Sequence, residues 1–180
     1  MLKRWVIYIA SVVGGVLLVG GVLGALVWAL ISARLPSLDV LTDYQPKLPL
    51  RVLSEDGVLL AEFGEERRSL VKLAEVPVHV RQAILAAEDA NFYEHGGVDW
   101  LAMLRVAYAN TFSGSKFGGS TITMQVARNF FLTRERSGVA GYLRKANEVA
   151  LTFKIEHELT KDQILELYIN QIYLGQRAYG

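Results

Sequence analysis

Glu88 and Asp89 close a largely apolar, helix-forming run, Val80 to Ala87, and lead into Ala-Asn-Phe-Tyr-Glu-His-Gly-Gly-Val-Asp99. A carboxylate set against an apolar wall is how proteins make a general acid or base. Alone, the stretch reads equally well as a helix stopped by Gly96 and Gly97 with its charges solvated. A second cluster, Gly118-Gly-Ser-Thr-Ile-Thr-Met-Gln125, puts two glycines and then hydroxyls at a predicted helix start. Free backbone N–H groups and the positive end of a helix dipole make such a start an anion site suited to phosphate oxygens. The plainer reading is Ser120 capping a helix after a flexible loop. In a third cluster, Arg144-Lys-Ala-Asn-Glu148, both cations share one helix face with the acid. On an arbitrary helix that is a solvated ion-pair face worth about 0.2–0.5 kcal/mol per pair.

Taken in order, these clusters resemble the signatures of the peptidoglycan glycosyltransferases, glycosyltransferase family 51. Glu88-Asp-x-x-Phe-x-x-His-x-Gly-x-Asp99 is similar to the first signature. Gly118 to Gln125 is similar to the second, Gly-Gly-Ser-Thr-Ile-Thr-Gln-Gln, with Met124 in place of the first Gln. Arg144-Lys-x-x-Glu148 is similar to the third, and Lys161-Asp-Gln-Ile-Leu-Glu-Leu-Tyr-Ile-Asn170 to the fourth. The final Tyr-Leu-Gly…Tyr-Gly resembles the start of a fifth. The resemblance implies a mainly α, lysozyme-like transferase domain with Glu88 and Glu148 as its two important carboxylates. It carries over Lys145, Arg144, Ser120, Thr121, Gln125 and Asp89 as substrate-binding positions. His95 is read as a structural hydrogen-bond partner, Lys161 as supporting, and Glu166 as bracing site residues, with Ile164, Leu165 and Tyr168 in the core. The Asp-Gly hairpin and Glu62 to Arg68 look most like the bifunctional class A penicillin-binding proteins.

The elements that must hold these residues are legible from pattern. Trp5 to Ile31 carries no charged residue and is long enough to cross a bilayer, which takes roughly 20 apolar residues. Lys3 and Arg4 precede it, which favours residues 1–4 in the cytoplasm and the rest outside. Residues 32–49, with three prolines, read as a linker. Residues 50–180 read as the N-terminal part of the transferase domain, opening with a β-hairpin at 50–63 around Asp56-Gly57. Gly64 to Arg68 reads as charged and exposed. Helices are predicted from Pro77 to Glu88, Asp99 to Phe112, Ser120 to about Leu132, Tyr142 to Glu158, and from the Thr160-x-x-Gln163 capping box to about Leu174. The chain stops just after a fresh loop has begun, which reads as part of a longer protein. Part of Leu101 to Phe117 is expected at the surface, because the family's region between the first two signatures dips into the membrane.

Of 180 residues 52% are hydrophobic, and 19 basic residues nearly balance 18 acidic ones. That balance argues against a nucleic-acid partner. Cysteine is absent, which decides little about compartment. His79 and His157 have no paired ligands at metal spacing. The resemblance implies a lipid-linked disaccharide (lipid II) and the growing glycan strand as substrates, the inner membrane as location, and cell-wall synthesis proteins as partners. No tightly bound cofactor is expected, with Mg2+ or Mn2+ at Glu148 as an option. Two rivals remain open: a lysozyme-like lytic glycosidase, and a non-catalytic membrane-anchored interaction module.

Overall fold

The computed structural model of the protein describes residues 2–46, 48–64, 66–114, 118–132 and 138–179. It divides into two units, Met1–Pro36 and Ser37–Gly180. The first is a helix, α1 (Leu2–Ser32), followed by a short turn. Its 31 residues rise about 45 Å, more than the roughly 30 Å of a bilayer's hydrocarbon core. Every described side chain on it except Ile31 is exposed, as a helix surrounded by lipid requires.

In the second unit, the stretch expected to be a linker is partly core. Leu38 and Leu41, flanking and within the short α2 (Asp39–Thr42), are buried. The Tyr44 ring stands edge-on to Phe130 at 5.0 Å, and its hydroxyl donates to Gln171 Oε1. Prolines at 36, 46 and 49 suggested a free connection, but leucines three apart let the segment dock. Strands β1 (Leu50–Leu53) and β2 (Leu59–Phe63) form the expected antiparallel hairpin. Gly57 turns it at φ +83°, a conformation that a residue without Cβ adopts without strain.

The charged run after the hairpin departs from expectation. Arg68 is buried, not exposed. It lies in β3 (Arg67–Arg68), which pairs in parallel with β5 (Ala178–Tyr179); β5 pairs antiparallel with β4 (Tyr173–Gly175). Four groups compensate its charge: Glu66 at 2.8 Å, the Tyr44 hydroxyl at 2.6 Å, the Asn170 carbonyl at 2.9 Å and Gln171 Oε1 at 3.2 Å. A buried cation persists only with such partners, and all but Glu66 arrive from distant parts of the sequence. Glu65 lies outside the described residues.

Five longer helices build the rest: α3 (Val78–Glu88), α4 (Trp100–Phe112), α5 (Ile122–Phe131), α6 (Gly138–Glu158) and α7 (Lys161–Gln171). The core gathers where α5 packs on α6 and α7. Ile122, Met124, Val126 and Ala127 meet there with Ala150, Leu151 and Ile155, and with Ile164, Leu165 and Tyr168. The Thr160–Gln163 capping box opens α7. Helix α6 begins at Gly138, earlier than the predicted Tyr142; Gly138 and Gly141 are poor helix formers and conceal its first turn. Thr121, not Ser120, caps α5 by accepting the Met124 N–H.

The turn between α3 and α4 is pinched at Gly97. Its φ is +93°, and a Cβ there would come within 2.6 Å of Thr152 Cγ2 and 2.8 Å of Glu156 Cγ on α6. Gly97→Ala combines a left-handed alanine with overpacking, so a loss of about 2–4 kcal/mol is expected. Denaturant unfolding measures it directly, and a loss below about 0.5 kcal/mol would mean that α6 yields at this point.

Candidate active site

Glu88 and Asp89 are consecutive, and both reach the same helix. The Asp89 carboxylate accepts the Ile122 N–H at 3.0 Å, and Gln125 Nε2 donates to Glu88 Oε2 at 2.8 Å. Ile122 and Gln125 are three residues apart on α5, a spacing that puts them on neighbouring positions of one face. Two adjacent acids are therefore fastened side by side to the start of α5.

Their environments differ sharply. Asp89 is buried, and His95 Nε2 lies 2.9 Å from Oδ1 and 3.1 Å from Oδ2. The Gly97 N–H donates to His95 Nδ1 at 3.1 Å, which puts the ring proton on Nε2, facing Asp89. Thr121 closes the loop by donating its hydroxyl to the Gly97 carbonyl. Asp89, carried over as a substrate-binding position, is thus an internal brace: its oxygens are taken up by His95 and the α5 backbone. The expected phosphate site at this helix start is modified in the same way, since the Ile122 N–H faces Asp89 and the Met124 N–H faces Thr121.

Glu88, in contrast, is exposed, and α3 contributes no buried residue. The apolar wall read from Val80 to Ala87 is a surface: Val80 is exposed, while Ile84 and Leu85 are only half-buried. Helical periodicity gave the side of α3 that packs but not how deeply it does so. What stands near Glu88 comes from α5 and α7. The Tyr168 phenol is pushed up to about 12, chiefly by burial and then by the Glu88 charge, with Arg128 opposing. Tyr168 therefore stays neutral and does not compete with Glu88 for a proton. Both it and Arg128 escaped the sequence reading as site residues. Arg128 had a signal, lying three positions after Gln125; Tyr168 had none beyond its place in a core stripe.

The other acid is enclosed. Glu148 is 1% exposed. Its Oε1 accepts from Lys145 Nζ at 2.7 Å and its Oε2 from Arg144 Nη1 at 3.3 Å. Lys145 Nζ also donates to Ser120 Oγ at 3.2 Å. Among the described residues Arg144 Nε is buried without a hydrogen-bond partner, an unused donor beside this cluster. Lys145 thus links Glu148 to the residue preceding the cap of α5, while Glu88 is bonded to Gln125 in that helix's first turn. Met124, where the chain departs from the second signature, is fully buried, so the departure falls in the core.

The supporting positions brace other contacts than expected. Lys161 Nζ pairs with Glu156 at 2.8 Å and lies 4.4 Å from the Phe92 ring centroid, and Glu156 also accepts from Thr123. Glu166 accepts the Leu73 N–H at 2.7 Å, so it fixes the segment before α3 and contacts neither acid. Two cavities, of about 860 and 530 Å3, are lined around Tyr44, Arg68 and Phe130 and around Leu41, Lys72 and Glu166. Neither includes Glu88 or Glu148.

No group of three or more His, Cys, Asp or Glu among the described residues is arranged to hold a metal. A cation at Glu148 would compete with Lys145 and Arg144 for the same two oxygens, so the residues present do not fit one.

A family model described as Transglycosylase matches residues 56–180. Penicillin-binding protein 1A of Neisseria gonorrhoeae is 53% identical over 148 residues, covering 82% of this chain and 18% of the relative. The protein of the same name from Pseudomonas aeruginosa is 52% identical over 151 residues, 83% of this chain and 18% of the relative. That from Neisseria flavescens is 46% identical over 181 residues, the whole chain and 22% of the relative. The chain spans about a fifth of the length of the curated relatives it matches.

Proposed function

The chain belongs to the transglycosylase family, with the lysozyme-like fold of that family, and from that premise we propose that it polymerises a lipid-linked disaccharide into glycan strands. The observation that carries this reading is that Gln125 holds Glu88 to the first turn of α5 while Lys145, paired with Glu148, reaches Ser120 just before the same helix. In an inverting transfer a base removes the proton of the attacking hydroxyl on one face of the sugar. Glu88 is that base, and it takes the proton of the 4-hydroxyl of one disaccharide. The freed oxygen forms a bond to the anomeric carbon of the other substrate. The bond from that carbon to the polyprenyl diphosphate breaks, and its electron pair leaves with the diphosphate oxygen.

A diphosphate leaving group needs counter-charge more than a proton, and Lys145 and Arg144 supply it. Glu148 holds their heads in place, and Ser120 fixes Lys145 against α5. Charge-assisted contacts of this kind are the strong class of hydrogen bond.

The rival glycosidase has no use for an Arg144–Lys145 pair, and an interaction module has none for a solvent-open acid fastened at one oxygen. The product separates all three. Supplied with lipid-linked disaccharide, the intact protein in membranes should build chains and release polyprenyl diphosphate. Release of sugars from finished wall would support the glycosidase, and no turnover of either would support the module.

Membrane association rests on two features. One is α1, the single described helix long and apolar enough to span; Lys3 and Arg4 in its first turn favour an N-terminus inside and the domain outside. The other is a face of α4: Trp100, Leu104, Tyr108 and Phe112, each four residues from the next, are 57–75% exposed. Residues 115–117 lie outside the described residues. An apolar face of this kind on a polymerase of lipid-linked sugars is a surface for the bilayer. In a version beginning at Ser37, Leu104→Glu with Tyr108→Glu should weaken binding to phospholipid vesicles about tenfold. Unchanged co-sedimentation would remove α4 from the membrane-binding surface.

A further inference from the structure

We propose that Gln125 is a positioning residue for the base: it pins Oε2 of Glu88 and leaves Oε1 to take the proton. This rests on the reading of Glu88 as general base. The family resemblance placed Gln125 among the substrate contacts, but its amide Nε2 lies 2.8 Å from Glu88 Oε2. An exposed glutamate has several rotamers open to it, and only some of them hold an oxygen within reach of a given hydroxyl. Gln125 restricts that choice.

The restraint is firm because its anchor is firm. Helix α5 buries Ile122, Met124, Val126 and Ala127, so it cannot turn about its axis without emptying the core. Its first turn is held by Thr121 and by Asp89. Asp89 in turn fixes the backbone next to Glu88, and Gln125 fixes the Glu88 side chain. The base is thus held at both its main chain and one carboxylate oxygen by residues three apart on a single helix.

The variant is Gln125→Met, which keeps side-chain length and removes both donor and acceptor. In the intact protein in membranes it should lower kcat about ten- to a hundredfold, the cost of a misplaced catalytic group. KM for the lipid-linked disaccharide should change less than threefold. A second measurement is the double variant Glu88→Gln/Gln125→Met. If Gln125 acts through Glu88, its loss costs nothing further once the base is gone, whereas a merely structural glutamine would cost the same in both backgrounds.

A tenfold or greater rise in KM at unchanged kcat would make Gln125 a substrate ligand and overturn the proposal. So would an unchanged kcat, or an additive double variant. Wild-type polymerisation by Glu88→Gln alone would instead overturn the reading of Glu88 itself. An inactive Glu88→Gln beside a fully active Gln125→Met would leave that reading standing and remove only the inference.

Discussion

Glu88→Gln should lower the rate of glycan polymerisation by about a hundred- to ten-thousandfold, the usual contribution of a positioned general base. The replacement keeps the side chain's shape and can still accept the Gln125 N–H through its amide oxygen, so geometry is preserved while basicity is lost. Because Glu88 is exposed, its stability cost should stay within about 0.5 kcal/mol. Glu88→Asp keeps the basicity but is one methylene short of Gln125, and an intermediate rate is expected. The measurements are single-turnover polymerisation of lipid-linked disaccharide and the unfolding midpoint of the same preparations. A variant that polymerises near the wild-type rate would end the assignment. A variant that loses rate and also unfolds easily would mark Glu88 as part of the scaffold.

The second large effect is expected at Glu148, where stability and rate should both fall. Glu148 is enclosed and its two oxygens face two cations. Glu148→Gln leaves Lys145 and Arg144 without their counter-charge. Removing one partner of a fully buried pair costs about 3–5 kcal/mol. Here the side chains of Lys145 and Arg144 are 37% and 21% exposed, so water recovers part of that, and about 2 kcal/mol is expected. Turnover should fall about a hundredfold, since the cations proposed to meet the diphosphate lose their fixed positions. Comparing unfolding with kcat/KM for the same variant checks both halves. If stability falls and turnover does not, Glu148 is an ion pair of the fold and the leaving-group reading must be rebuilt without it.

The chemistry-bearing strings and most helices were legible in the sequence because their signals are local. The Thr160–Gln163 box and the Asp56-Gly57 turn each depend on residues within a few positions of one another. What escaped depends on long-range contacts. Nothing local distinguishes Glu88 from Asp89, yet one is open and the other is buried, because α5 arrives from more than thirty positions away to receive Asp89. Thr121 rather than Ser120 caps α5, and Ser120 instead accepts from Lys145, which reaches it from α6. Arg68 looked like a surface charge because Tyr44, Asn170 and Gln171, which surround it, are invisible from its neighbours. Tyr168 and Arg128 join the site for the same reason: α5 and α7 pack together.

The buried leucines before the hairpin bear on how the domain can be handled without its lipid-spanning helix. A soluble version trimmed to the first strand at Leu50 would discard Leu38, Leu41 and Tyr44, open two holes in the interior, and strip Arg68 of its phenolic cover. The usable cut therefore lies at or before Ser37, where a short stretch ending in Pro36 separates the apolar N-terminal helix from residues that the domain's own interior requires.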